Sequence, residues 1–491
     1  MQFTSFSFLL FAGLLLILYY LIPRRGQWLL LLTAGYLFYL SSGLQNLGYI
    51  LFTTISTYGT ARIMDCKQAA NDRKSAKKKN QIWAMLCVGV NFGLLAFCKV
   101  RFTFQNILLP MGISFYMFQS MGYVLDVYRN TVKAERNPLK LALFVSFFPQ
   151  LVQGPISKYG QLASQLYSGN AFDGKQVSFG LQRMLWGYFK KLVIADRIAV
   201  AVTALRAPEH TGMAFLILTV FYAIQIYGDF TGGIDIAIGL SEALGICLPE
   251  NFIRPFFCKN IAEYWRRWHI TLGQWMKDYV FYPVSVSSLM RRLSKAARSK
   301  LGTIGKRIPV YAASGITWLV TGIWHGLTPN FILWGLMNCL VIVVSEELAP
   351  VYTQFHARFH LKGKRWYGLF EMLRMFFLMN LIRVVDLFPN IGDYFLRMSS
   401  LMTTFNFHIL WDGTLMRLGL SPLDYGILIM GIGLMVSVSL AQEKWGSVRE
   451  RLWNGNTVIR YALTLSLFLM VLLMGNYGIG YDAGNFIYNR F

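Results

Sequence analysis

Acidic residues are scarce. Asp and Glu number 23 in 491 residues against 47 Lys and Arg, and the charged types together make up only 14%, where an ordinary soluble domain carries roughly a quarter. With 55% hydrophobic residues and a mean hydropathy of +0.44, that shortage excludes a soluble globular protein, because so large an apolar surplus needs lipid rather than a larger core. Cysteine is sparse too. The six cysteines, Cys66, Cys87, Cys98, Cys247, Cys258 and Cys339, are scattered with no C-x-x-C spacing, so neither a disulfide framework nor a zinc site is indicated. No Walker A loop, G-x-S-x-G elbow, H-E-x-x-H pair or dinucleotide-binding glycine fingerprint occurs. ATP-driven pumping, soluble-type hydrolysis and zinc proteolysis therefore lose support. The net charge of +24 would suit a nucleic-acid partner in a soluble protein. Here the basic residues gather in short loops between apolar runs, as the positive-inside bias requires, and anionic inner-leaflet lipid offsets them. No nucleic-acid partner is expected.

The first apolar run, about Phe6 to Ile22, has no charge ahead of it and is followed by Arg24 and Arg25. That is the reverse of a cleaved signal peptide, so a retained helix with its N-terminus outside is expected. The runs Trp28–Leu40 and Leu47–Met64 lead to Lys67, Arg73, Lys74, Lys77, Lys78 and Lys79, which places the next turn in the cytoplasm. Ile82–Cys98 is a further span. Leu108–Val124 contains Pro110-Met111-Gly112, and Leu141–Val152 runs into the interrupted stretch Pro149 to Pro155. Such backbone is tolerated at membrane depth only where protein or a wet cavity satisfies it, so re-entrant or tilted helices are expected. Around Trp186-Gly187-Tyr188-Phe189-Lys190-Lys191 the mixture suits a helix lying in the interface.

The long run Met213–Ile246 holds Gln225, Tyr227, Asp229, Asp235 and Glu242. It fits two spans broken near Gly232-Gly233 or one continuous tilted helix. Tyr264 to His269, followed by Trp275, Lys277, Asp278 and Tyr279, belongs at an interface or lining a funnel. The acid-free segment with Arg291, Arg292, Lys295, Arg298, Lys300, Lys306 and Arg307 is expected to be a cytoplasmic loop. Val310–Trp324 and Phe331–Val344 then bracket His325, and spans near Phe370–Leu387, Leu423–Leu440 and Val458–Met474 leave the tail from Asn476 outside. The expected fold is an all-α polytopic membrane protein of about ten to twelve segments.

An ionisable side chain near or within a span is a functional candidate, because it is costly unless it faces a polar cavity or a partner. His325, in Thr321-Gly322-Ile323-Trp324-His325-Gly326, is the leading one. Burial favours the neutral imidazole, the form able to act as a general base. The plainer alternative is a histidine in an interfacial turn bonded to a backbone carbonyl.

Several motifs carry a resemblance in their order and spacing: Pro110-Met111-Gly112-Ile113-Ser114-Phe115-Tyr116; Phe148-Pro149-Gln150-Leu151-Val152-Gln153-Gly154-Pro155; Tyr227-Gly228-Asp229-Phe230-Thr231-Gly232-Gly233; Asn251-Phe252 with Pro255-Phe256; Glu263-Tyr264-Trp265-Arg266-Arg267-Trp268-His269; and Gly322-Ile323-Trp324-His325-Gly326. In these the chain resembles the membrane-bound O-acyltransferases, in particular the bacterial branch that O-acetylates alginate and, more distantly, the branch that D-alanylates teichoic acid. The resemblance implies a helical bundle around a tunnel crossing the membrane, with residues 1–491 forming one domain: N-terminal helices 1–135, a catalytic core 136–350, and C-terminal helices with an extracytoplasmic tail 351–491. It implies that His325 is the essential histidine and His269 the second, with His325 taking the proton of an acceptor hydroxyl as that oxygen attacks an acyl thioester, or otherwise positioning the acyl group; for His269 the plainer alternative is an interfacial histidine hydrogen-bonded beside Arg266 and Arg267. Trp324, Trp268, Gln225, Asp229, Arg266, Arg267 and Asp278 are candidates to line the tunnel or meet substrate. Arg266 and Arg267 suit donor phosphates or lipid headgroups. A structural, charge-pairing role is favoured for Asp229, Asp235, Glu263 and Asp278. His210, His356, His360 and His408 are expected in loops. Gly233 stands where many relatives carry Tyr, and Gln153 where Ala or Ser is common.

The resemblance further implies no bound cofactor and no metal, an acyl donor that is acetyl-CoA or another thioester, and a bacterial cytoplasmic membrane location; the loop charges and the count of crossings place both termini outside. The acceptor is an exported or cell-envelope polysaccharide, reached directly or through an extracytoplasmic SGNH-type acyltransferase. Two other readings stay open at this point: D-alanyl transfer from a carrier protein to teichoic acid, and a transporter or flippase built on the broken helices.

Overall fold

The computed structural model describes residues 1–68, 73–105, 107–478 and 481–482. Its principal helices in chain order are α1 (Phe6–Leu21), α2 (Arg24–Leu40), α3 (Leu47–Gln68), α4 (Arg73–Gln105), α5 (Ile113–Tyr128), α6 (Pro138–Ser146), α7 (Gly174–Tyr188), α8 (Met213–Ala243), α9 (Ile261–Arg267), α10 (Ile270–Met276), α11 (Ser288–Gly305), α12 (Ile308–His325), α13 (Pro329–Glu347), α14 (Arg365–Arg383), α15 (Pro422–Trp445) and α16 (Thr457–Met474). Among the described residues there is no strand, only an isolated antiparallel bridge between Phe252 and Trp268. The fold is all-α and polytopic.

Polar residues start these helices where apolar surroundings leave few other acceptors for the orphan N–H groups of a first turn. Ser5 accepts from Phe8 N at 3.2 Å, Asp173 from Lys175 N at 2.9 Å, and Asn456 from Val458 N at 2.8 Å. Ser421 and Asp424 cap α15 reciprocally. Among the described residues five helices contain stretches long and apolar enough to cross a membrane: Lys77–Gln105 within α4, and α8, α13, α15 and α16. The 16-residue α1 is apolar but shorter. The segment expected to cross at Leu141–Val152 is a nine-residue α6 followed by the short helix Phe148–Leu151, so Pro149 and Gly154 break it as foreseen.

The chain divides into two compact units. Among the described residues the first comprises Met1–Lys191, Asp229–Pro249 and the chain from Leu452 to Asp482; the second comprises Leu192–Gly228 and Glu250–Arg451. Helix α8 is continuous through Gly232-Gly233; its residues to Gly228 belong to the second unit and those from Asp229 to the first. Of its most apolar window 61% is buried in protein, against 0% for α16.

Within the first unit, α7 and the second half of α8 cross at glycines. A Cβ on Gly187 would lie 2.6 Å from the Gly232 carbonyl, and one on Gly180 2.4 Å from that of Gly239, so larger residues there would force the helices apart. A π-helical stretch, Phe189–Ala195, follows α7. There the expectation of an interfacial helix is corrected: Lys190 and Lys191 are buried, with Nζ atoms 2.6 Å from Asp235 Oδ2 and 2.5 Å from Asp229 Oδ1. Asp235 also accepts from Arg183 Nε at 3.0 Å. The pairing explains the burial, because each charge removed from water is matched at contact distance.

Within the second unit, α12 and α13 form a tight hairpin through Gly326-Leu327-Thr328. A Cβ on Gly322 would meet the Phe331 carbonyl at 2.5 Å, and one on Gly335 the Trp318 carbonyl at 2.4 Å. This close approach brings Trp318, Trp334 and the end of α12 together. The segment Arg291 to Lys300, expected as a loop, is helical within α11. His356, expected in a loop, lies on the helix Ala349–Arg358 with Nε2 2.9 Å from Tyr367 Oη. Residues 479–480 and 483–491 of the expected extracytoplasmic tail lie outside the described residues.

Candidate active site

His325 is the last residue of α12, and the Gly326 N–H closes the helix onto the Gly322 carbonyl at 3.0 Å. The imidazole is 4% exposed and is walled by aromatic rings. Its centroid lies 4.8 Å from that of Trp334 in an edge-to-face arrangement and 4.8 Å from that of Trp324, and Phe331 is near parallel at 6.4 Å. Trp265, Trp318 and Trp334 form a second indole cluster behind it, with centroids 4.7 to 6.0 Å apart.

His269 lies in the turn between the seven-residue helices α9 and α10, with backbone φ 47° and ψ 52°. A non-glycine residue in this left-handed region is strained and needs support from its surroundings. The segment beginning at Asn251 supplies it: Ile253 N donates to Arg267 O at 2.9 Å and Ile270 N to Asn251 O at 3.0 Å. The Asn251 side chain, wholly buried, then fixes the ring. Its Oδ1 accepts from Thr271 N at 3.1 Å and from Thr271 Oγ1 at 2.9 Å, and lies 3.3 Å from His269 Nδ1. Because a backbone N–H points at this atom it must be the amide oxygen, so Nδ1 of His269 carries the hydrogen and the neutral ring holds its lone pair on Nε2. Burial, reinforced by the Arg383 guanidinium, pushes the His269 pKa down to about 3. The ring is neutral at physiological pH.

Trp324 connects the two histidines, with its centroid 6.1 Å from that of His269 and 4.8 Å from that of His325. Trp268 is buried and stacked on Tyr264 at 5.7 Å; Tyr227, on the first half of α8, lies 6.4 Å from it. Two imidazoles separated by one indole, inside aromatic walls, can move a proton and hold an acyl group while little water intrudes.

The other sequence candidates have different surroundings. Gln225 is half-buried on α8, and its Oε1 has no hydrogen-bond partner among the described residues. Arg267 is engaged by Glu263 at 2.8 Å and by Glu443 at 3.2 Å, and Arg254 also reaches Glu443, at 2.6 Å. Arg266 is exposed. Asp278 accepts from Gln274 Nε2 at 2.7 Å, one turn away. Asp229 belongs to the first unit, where Lys191 pairs with it. Among the described residues no group of three His, Cys, Asp or Glu side chains is placed to hold a metal ion.

Two residues of the site escaped the sequence reading. Arg383, at the end of α14, lies 5.6 Å from the Trp268 ring and 5.4 Å from that of Trp334, and its Nε is 3.4 Å from Asp386 Oδ2. An arginine nine residues beyond Arg374 in the largely apolar run Phe370–Leu387 was itself a signal. Asn251 carried none beyond its place beside Phe252.

These features define a polytopic helical membrane protein with a buried, aromatic-walled pair of histidines. The sequence model of MBOAT, the membrane-bound O-acyltransferase family, matches residues 132–385, and the chain belongs to this family. It is 33% identical over 370 residues to a "Probable alginate O-acetylase AlgI" of Pseudomonas syringae pv. tomato, covering 71% of this chain and 67% of that protein. It is 30% identical over 319 residues to a peptidoglycan O-acetyltransferase of Helicobacter pylori, covering 56% and 57% of the two chains. A teichoic acid D-alanyltransferase of Bacillus subtilis is 28% identical over 245 residues, covering 48% and 59%. The protein is a multi-pass membrane O-acyltransferase, and the transporter reading is set aside.

Proposed function

We propose that this protein transfers an acetyl group from a cytoplasmic thioester, acetyl-CoA being the simplest, for O-acetylation of an exported or cell-envelope polysaccharide. The observation that carries the site assignment is the disposition of His325 and His269 on either side of Trp324. Similarity to two carbohydrate O-acetylating proteins over longer stretches than to the D-alanyltransferase favours acetyl over D-alanyl.

The acceptor hydroxyl oxygen attacks the thioester carbonyl carbon and gives its proton to the His325 imidazole. The C–S bond then breaks, and the departing thiolate takes the proton back, which restores neutral His325. A base of matched pKa contributes about 10²–10⁴-fold in such a step. His269, its tautomer fixed by Asn251, offers Nε2 as an acceptor that orients the incoming hydroxyl or thiol. The aromatic walls restrict water, which would otherwise hydrolyse the thioester. The hydroxyl belongs to the polysaccharide itself or to an SGNH-type partner outside the membrane that completes the transfer; both termini lie on that side.

The test is the identity of the ester. Envelope glycan from cells lacking and overexpressing the protein is treated with mild alkali, and the released acids are quantified by mass spectrometry. Acetate that tracks expression supports the proposal; D-alanine that tracks it would replace acetyl with D-alanyl.

A further inference from the structure

Helix α11 is built differently from every membrane-spanning element of the chain. Arg291, Arg292, Lys295, Arg298 and Lys300 fall within it, and no acid occurs between Asp278 and Glu346. Among the described residues none of these five cations takes part in an ion pair, whereas the neighbouring Arg307 is held by Glu347 at 2.6 Å. All five are exposed.

Helical spacing separates the faces. Arg291, Lys295 and Arg298 follow at i, i+4 and i+7 along one side, with Arg292 beside them, and Leu289 and Leu293 share another. Met290, 5% exposed, turns to the protein, and α11 packs on α12. Leu289 and Leu293 do not follow it inward. They are 60% and 41% exposed, and the preceding Val286 and Tyr282 are 63% and 47% exposed. The helix therefore presents three surfaces: a packed edge against its own protein, an uncovered apolar row and an unpaired cationic row.

We propose that α11 lies in the plane of the cytoplasmic membrane surface, with Leu289 and Leu293 dipping between lipids and its cationic row binding anionic phospholipid headgroups. Charge complementarity supplies the occupant. A cationic amphipathic helix next to membrane-spanning segments meets the negatively charged leaflet, and the positive-inside bias assigns this stretch to that side. The exposed leucines decide between lipid and an acidic protein, since an electrostatic protein dock has no use for an apolar row at the depth of the acyl boundary. The inference does not depend on which acyl group the enzyme carries.

The test uses the full-length protein in nanodiscs of phosphatidylcholine alone or with about 30 mol% phosphatidylglycerol, read by hydrogen exchange over residues 288–300. Phosphatidylglycerol slows exchange in this segment severalfold while leaving α13 unchanged. The effect is lost in the quadruple variant R291Q/R292Q/K295Q/R298Q and falls in about 0.5 M salt, where screening shortens the reach of each charge. These positions are solvent-facing, so the variant retains the fold, and unchanged exchange in α13 verifies it. Identical exchange in both lipids, or an undiminished phosphatidylglycerol effect in the quadruple variant, overturns the proposal. Protection that arises only when an acidic carrier protein is added would also overturn it, in favour of a protein dock.

Discussion

Replacing Asn251 with Asp keeps the shape of the group that fixes His269 but changes its charge. The carboxylate still accepts from Thr271 N and Oγ1, at 3.1 and 2.9 Å in the wild type, so the turn holds. It also sits where Oδ1 now lies 3.3 Å from His269 Nδ1, and an opposite charge at that range raises an imidazole pKa by about 1–3 units. From a starting value of about 3, the His269 pKa in N251D moves into the range of about 4 to 6. If neutral His269 is needed, the acid limb of the pH–rate profile for thioester-dependent acyl transfer moves upward by that amount, while the rate at pH 8 changes far less. N251A gives the contrasting case. It strips the acceptor from two Thr271 donors and from the ring, and at about 1–3 kcal/mol for each buried donor left unpaired it lowers stability by several kcal/mol at every pH. The assay is initial rate against pH in membranes of matched protein content, with thermal unfolding of both variants in detergent. A pH profile for N251D superimposable on wild type, with the protein folded, would refute the assigned tautomer and neutrality of His269.

Linkage gives a stability prediction for the same group. The folded-state His269 pKa lies below its ordinary 6.5, so the unfolded chain binds the extra proton first, and stability falls as pH drops from about 6.5 towards 3. The melting temperature of H269Q should therefore fall less than that of wild type between pH 7 and pH 4; equal slopes would contradict the assignment. Lys191→Met alone strands the buried Asp229 carboxylate and should cost about 3–5 kcal/mol, whereas K191M/D229L recovers most of the loss, as thermal unfolding will show. Gly322→Val pushes a side chain into the Phe331 carbonyl, 2.5 Å from where its Cβ must stand. It should separate α12 from α13 and reduce activity at least tenfold, even where the protein still inserts in the membrane. Retained activity would mean that the hairpin does not set the position of His325.

The sequence made some of this legible because the signals were local. An all-α membrane fold follows from composition and run length, and Trp324-His325-Gly326 marks its histidine by placing an ionisable group at the end of an apolar run. His269 stood out only through the family resemblance of its Trp-Arg-Arg-Trp-His block. Other features depend on partners far apart in the chain. Lys190 and Lys191 read as interfacial because Asp235 and Asp229, which neutralise them, come some forty residues later. The choice between one helix and two over Met213–Ile246 stayed open because Gly232 and Gly233 look like a break. Glycine costs a helix only about 1 kcal/mol, and here Gly232 serves the close crossing with α7. Arg383, and the role of Asn251, went unnoticed because both depend on rings and amides contributed by other segments. Helix α11 was hidden by its charge, since a cationic amphipathic helix and a basic loop look alike under a positive-inside count.

Acyl transfer by His325 and His269 within one aromatic-walled site can be tested in cells. The most direct measurement is the glycan ester content of deletion cells restored with wild type, His325→Ala or His269→Ala, at equal expression and membrane insertion. Wild type should restore acetate esters, His325→Ala should leave them at the deletion level, and His269→Ala should be severely impaired. Full restoration of esters by His325→Ala would contradict its catalytic role.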